Sequence, residues 1–130
     1  MLFDFSAGHK KVLVIDDDAS LQRQIRFHLE HKHDKIDVVQ ALDGQAGLDH
    51  AFSHKPDLII LDWVLPDIQG PEILVQLKQH KKTKNTPVLM LSGNHNIGDI
   101  EDMFSLKAEC YITKPFTLQN LGEKVVELLS

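Results

Sequence analysis

Asp16-Asp17-Asp18, Asp62, Ser92 and Lys114-Pro115 are the polar groups of this chain with the most chemical potential. They comprise carboxylates that can hold a hard cation or act as nucleophiles, a hydroxyl, and an ammonium. Each is ordinary alone. An aspartate run after a strand often caps the next helix, and a lone aspartate at a strand end is a common solvated turn residue. Ser92-Gly93-Asn94 is a loop signal, and a single lysine is usually a surface residue. Their positions set them apart. Asp16, Asp62 and Ser92 directly follow the apolar runs Val12–Ile15, Leu58–Leu61 and Val88–Leu91, and Lys114 follows the shorter stretch 110–113. If those runs are neighbouring parallel strands, carboxylates, hydroxyl and ammonium meet on one rim. Clustered carboxylates repel one another, so such a site needs a cation at neutral pH. All-oxygen ligands with room for water suit Mg²⁺ better than Zn²⁺.

The elements that must position these groups follow from hydrophobic spacing. Continuous apolar runs, as in Val12–Ile15, mark strands buried on both faces. Leu21, Ile25 and Leu29 fall four apart and predict a helical stripe. Residues 36–39 predict a weaker second strand nearer an edge. Ala46, Leu48, Ala51 and Phe52 predict a short helix after an Asp43-Gly44 turn. Ile73, Leu74 and Leu77 predict a helix begun by Pro71, a residue suited to a first helical turn. A helix around 97–106, a strand at 110–113 and a last helix over about 118–129 complete five strands alternating with five helices. Alternation of this kind predicts an α/β fold: right-handed crossovers and a parallel sheet covered on both faces. Ligands of such sheets sit beyond the carboxyl ends of the strands, at the topological switch point.

The whole chain narrows the function classes. Its 130 residues suit one domain. Residues 1–10 read as an N-terminal extension and 11–130 as the domain. A formal charge of −5 disfavours direct nucleic-acid binding, which depends on a positive field to replace phosphate counterions. No apolar run approaches the roughly 20 residues that span a bilayer. The first residues lack the features of a secretory signal, and one cysteine allows no internal disulfide. The expectation is a cytoplasmic domain with no membrane partner.

Three segments carry a resemblance. Val-Leu-Val-Ile-Asp-Asp-Asp at 12–18, Asp-Leu-Ile-Ile-Leu-Asp-Trp-Val-Leu-Pro-Asp-Ile-Gln-Gly at 57–70 and Tyr-Ile-Thr-Lys-Pro-Phe at 111–116 resemble the response-regulator receiver family of two-component signalling. The resemblance runs from about Lys10 to the C-terminus. It implies a flavodoxin-like doubly wound sheet in the order 2-1-3-4-5, and a phosphorylation switch rather than an enzyme. It also implies that Asp62 accepts a phosphoryl group from a phosphohistidine donor, with Mg²⁺ held by Asp16, Asp17, Asp62 and the backbone carbonyl of Val64. Asp17 would be a direct ligand, and Asp16 would act more often through water. Ser92 and Lys114 match groups that bind phosphoryl oxygens, and Pro115 matches a proline whose preceding bond is usually cis. Tyr111 matches an aromatic residue that rotates inward on activation, remodelling the face of the fourth helix, fifth strand and fifth helix. The implied donor is a sensor histidine kinase or a histidine phosphotransfer protein. The output domain or partner is left unnamed.

Some positions depart from the family pattern or lie outside it. Apolar Val64, and Asn94 two after Ser92, occupy positions that tune hydrolysis of the acyl phosphate, and Val64 predicts slow self-dephosphorylation. Lys107 stands where the family usually has glycine, which puts the turn before the fifth strand in doubt. Phe27 lies off the first helix's apolar stripe, as a scattered exposed residue or a docking contact. The histidines, including His28, His31 and His33, match no standard zinc spacing and read as solvated. Trp63 is expected to pack over the rim.

Two other functions compete, along with a receiver-like binding module that is never phosphorylated. Asp16-Asp17-Asp18-Ala19-Ser20 fits the nucleophile motif of haloacid-dehalogenase-like phosphatases, with Asp16 as nucleophile and Asp18 as acid/base. That reading leaves the Asp62 segment unexplained. A flavodoxin-type electron carrier needs a hydroxyl-rich phosphate loop, and three aspartates there would repel the FMN phosphate.

Overall fold

A computed structural model describes residues 8–93, 101 and 105–130. In chain order they form β1 (Lys10–Ile15), α1 (Ala19–Lys32), β2 (Ile36–Ala41), α2 (Gly44–His54) and β3 (Leu58–Asp62). There follow α3 (Gly70–Gln79), β4 (Val88–Ser92), β5 (Cys110–Thr113) and α4 (Leu118–Leu129). The five strands make one parallel sheet in the order β2-β1-β3-β4-β5. Five helices are expected from the sequence, and four lie among the described residues. The predicted helix around 97–106 falls largely outside them, as do residues 1–7 of the expected N-terminal extension and Asn94.

The central strands are buried on both faces, so their alternate residues feed two cores. Leu13, Ile15, Ile59, Leu61, Val88 and Met90 pack with Leu48 and Ala51 of α2 and Ile73, Leu74 and Leu77 of α3. Val12, Val14, Leu58, Ile60, Leu89 and Leu91 pack with Ile25 and Leu29 of α1 and Leu121 and Val125 of α4. A one-residue slip of any strand would exchange these two sets, which fixes the register and hence which residue ends each strand.

Helix starts follow local chemistry. Asp18, Asp43 and Thr117 cap α1, α2 and α4 by accepting from Leu21 N, Ala46 N and Asn120 N. Each such cap is worth about 1 kcal/mol. Asp43 is therefore a cap rather than the turn residue expected, and its helix runs longer than the spacing suggested. The apolar stripe of α1 also differs. Its fully buried residues are Gln22, Ile25 and Leu29, while Leu21 is only half-buried.

Candidate functional site

The strand order reverses between β1 and β3, and the acidic residues stand at their carboxyl ends. Asp16 follows β1 and is fully buried, whereas Asp62 is the last residue of β3 and 6% exposed. Asp17 is exposed, and one carboxylate oxygen from each of the three lies within 4.8 Å of the others. They are the one such group of potential metal ligands among the described residues.

The turn after β1 is ordered by its own polar groups. Asp18 N donates to Asp16 Oδ1 at 2.9 Å, while Asp16 N donates to Ala41 O at 3.1 Å. The Asp18 carboxylate caps α1, accepting from Leu21 N at 3.0 Å. After β3 the chain turns back sharply. Trp63 N donates to Leu91 O and Gly70 N to Trp63 O. A Cβ at Gly70 would strike the backbone of Asp62 and Trp63, so only glycine allows α3 to begin this close to the acidic rim. Asp67 from the same loop accepts from Gly44 N at 2.7 Å and Gln45 N at 2.9 Å, fastening the loop to the start of α2. Those bonds hold the Asp67 carboxyl below the usual carboxylate range.

Lys114 closes the rim. Its Nζ lies 3.2 Å from Asp16 Oδ2 and 3.3 Å from Asp62 Oδ2, and the Lys114-Pro115 peptide is cis. Burial first, and then the Asp16 carboxylate, raises the pKa of Asp62, and the Lys114 ammonium and the Val64 N–H oppose this without cancelling it. Burial works against the ammonium, yet Asp62 and Asp16 together outweigh it and hold the Lys114 pKa above the ordinary lysine value. Three carboxylates facing one ammonium leave an excess of negative charge. Hard oxygen donors this close together fit a small divalent cation such as Mg²⁺.

The remaining predicted residues are placed as follows. Ser92 ends β4, is fully buried, and its carbonyl accepts from Lys114 N at 2.7 Å, tying the ends of β4 and β5. Tyr111 on β5 is half-buried against the core on the α2/α3 side, as is Trp63. Val64 points its side chain outward, 62% exposed. Phe27 is exposed and stacks on His31. Lys107 adopts φ 74, the left-handed conformation that favours glycine.

One residue beside the site went unread in the sequence. Gln22 hangs beneath the acidic turn, with its Nε2 3.1 Å from Asp16 O. Its spacing to Ile25 and Leu29 is the signal that could have revealed it.

Comparison with known proteins agrees with this fold. A family model described as response regulator receiver domain matches residues 12–126. The alkaline phosphatase synthesis transcriptional regulatory protein PhoP of Bacillus subtilis is 37% identical over 121 residues, covering 93% of this chain and 49% of that protein. The transcriptional regulatory protein CiaR of Streptococcus pneumoniae is 37% identical over 119 residues, covering 92% and 51%. The chain thus spans about half the length of the curated relatives it matches. Among solved structures, the receiver domain of Francisella response regulator 1452 aligns with TM-score 0.83 and 33% identity, over 93% of this chain and 97% of that one. The chemotaxis protein CheY4 of Vibrio cholerae aligns with TM-score 0.86 and 26% identity, over 93% and 99%.

Proposed function

The chain belongs to the response regulator receiver domain family, and on that premise we propose that it is a phosphorylation switch whose acceptor is the Asp62 carboxylate. The observation that carries this reading is the Lys114 ammonium lodged between Asp16 and Asp62 at the end of β3. An oxygen of Asp62 attacks phosphorus in line, the new O–P bond forms, and the P–N bond of a phosphohistidine breaks as the imidazole leaves. Positioning and charge neutralisation dominate such transfers. Burial keeps water off the acceptor, and the Val64 N–H holds the Asp62 carboxylate in place. Lys114 stabilises one non-bridging oxygen, and the Ser92 hydroxyl donates to another. Asp16, Asp17, Asp62 and the Val64 carbonyl would hold Mg²⁺, which when bound supplies Lewis-acid neutralisation of phosphoryl oxygens.

The donor on this reading is a sensor histidine kinase or histidine phosphotransfer protein. The response is a rearrangement in which Ser92 moves toward the phosphoryl group, Tyr111 turns inward, and the face of the 97–106 segment, β5 and α4 changes. A local charge event biasing a two-state element is the physical content of such a switch. The domain acts on its own phosphoryl group rather than turning over a separate substrate, in a cytoplasmic setting. Any nucleic-acid output belongs to another domain or partner. No described helix is long and apolar enough to cross a membrane.

Intact mass after incubation with Mg²⁺ and a small acyl-phosphate donor tests the proposal. One labile phosphoryl adduct is expected, lost without Mg²⁺ and lost in Asp62→Asn. An adduct that survives in Asp62→Asn would transfer the role to another carboxylate and refute the assignment.

A further inference from the structure

Gln22 is 1% exposed on α1, on the helix face it shares with Ile25 and Leu29. Its Nε2 lies 2.9 Å from Val14 O, 3.1 Å from Asp16 O and 3.0 Å from Ala41 O. Two N–H bonds are thus shared among three carbonyl oxygens, two from β1 and its turn and one from β2. That arrangement fixes the amide's orientation, because the flipped amide would set Oε1 against three acceptors. Gln22 is itself held, since Gln40 Nε2 donates to its backbone oxygen at 3.1 Å.

The Asp16 carbonyl belongs to the peptide that joins Asp16 to Asp17. Rotation of that peptide would swing both carboxylates relative to each other. Asp16 N is bonded to Ala41 O, and Asp16 Oδ1 accepts from Asp18 N. The Gln22 amide restrains the carbonyl end of the same unit. Oε1 meanwhile has no hydrogen-bond partner and is shielded from solvent. An apolar side chain would remove that stranded oxygen but would take from the Asp16 carbonyl the donor Gln22 gives it, so the amide does more than fill space. What the amide alone offers is a simultaneous grip on β1, β2 and the acidic turn.

We propose that Gln22 is a positioning residue that sets the relative placement of the Asp16 and Asp17 carboxylates for a divalent cation. The inference rests on the proposed function, because it presumes that those carboxylates bind Mg²⁺. Groups that orient metal ligands without touching the metal typically govern about 10–100-fold of affinity.

Mg²⁺ alone is the probe, titrated into the full chain and followed by the emission of Trp63, the only tryptophan. Gln22→Met keeps the length of the side chain and removes its N–H groups. It is expected to weaken Mg²⁺ binding about tenfold. Ile25→Val, which loosens the same helix without touching these carbonyls, is expected to leave binding within about twofold. An unchanged Mg²⁺ affinity in Gln22→Met overturns the positioning role and leaves the Asp62 switch standing. A parent chain that takes no Mg²⁺ overturns both. Should Gln22→Met fail to fold, the parent supplies the answer through ¹⁵N spectra. The Gln22 side-chain N–H resonances should shift with the same Mg²⁺ midpoint as Trp63 emission, and resonances that stay fixed overturn the proposal.

Discussion

Replacing Lys114 with methionine should make the cation-free domain less stable and its Mg²⁺ affinity greater. Methionine retains the apolar stem and deletes the charge that lies 3.2 Å from Asp16 and 3.3 Å from Asp62. Removing one partner of a buried ion pair costs about 3–5 kcal/mol. The lysine side chain is 29% exposed, so solvent screens part of the interaction and the loss falls at about 3 kcal/mol in EDTA. The loss should also depend on pH. Asp62 has a folded pKa raised above its ordinary value, by burial first and by Asp16 second. A group of that kind contributes stability that is fully present below its unfolded pKa and is lost as pH rises through the folded one. Without the ammonium the folded pKa of Asp62 rises further, so acidification protonates it and returns part of the loss. Urea unfolding of parent and Lys114→Met in EDTA, at about pH 8 and about pH 5, reads this directly. Magnesium titration of the same proteins should show tighter binding in the variant, because no ammonium competes for the carboxylates. A loss that is equal at both pH values, or weaker Mg²⁺ binding, would refute the electrostatic account.

Two further outcomes are expected. Lys107→Gly should raise stability by about 0.5–1 kcal/mol in urea unfolding, because a side chain at φ 74 costs about 1–2 kcal/mol and glycine's extra unfolded entropy recovers only part of it; a destabilised variant would mean that the lysine side chain holds this turn in place. Val64→Asn should shorten the lifetime of the phosphoryl adduct followed by mass, since its side chain projects into solvent two residues from the acceptor and asparagine there can orient an attacking water; an unchanged lifetime would remove Val64 from the account of hydrolysis.

The site was legible because the sequence states its geometry twice. Leu58–Leu61 is apolar without interruption, as a strand covered on both faces must be, and right-handed crossovers bring the ends of such strands to one edge. A carboxylate directly after β1 and another closing β3 therefore had to meet. Gln22 was not legible. Residues 21, 25, 29 and residues 22, 25, 29 are equally helical spacings, and a polar side chain is read as outward. The roll of α1 is settled by three carbonyl oxygens from two strands, which no local window contains. The start of α2 failed for the same reason. Asp43-Gly44 carries turn chemistry locally, while the Asp67 carboxylate that satisfies the N–H groups of Gly44 and Gln45 comes from 23 and 22 residues away.

The electrostatics of the rim bear on more than its stability. Two buried carboxylates, one exposed one and a single ammonium make a poor device for stability, since apolar replacements of such clusters are often neutral or stabilising. The cluster instead leaves charge that a cation can neutralise and a phosphoryl group can redistribute. On the proposed reading, phosphorylation places about one further negative charge beyond Asp62 and offers Lys114 new oxygens in place of Asp16 and Asp62. The Lys114 backbone N–H is bonded to the Ser92 carbonyl at 2.7 Å, so the residue that carries the ammonium also ties two strand ends together. Those joined ends belong to β4 and β5, and β5 carries Tyr111. On the proposed reading, the residue that neutralises the site is bonded through its backbone to the strands whose surface would change when the phosphoryl group is accepted.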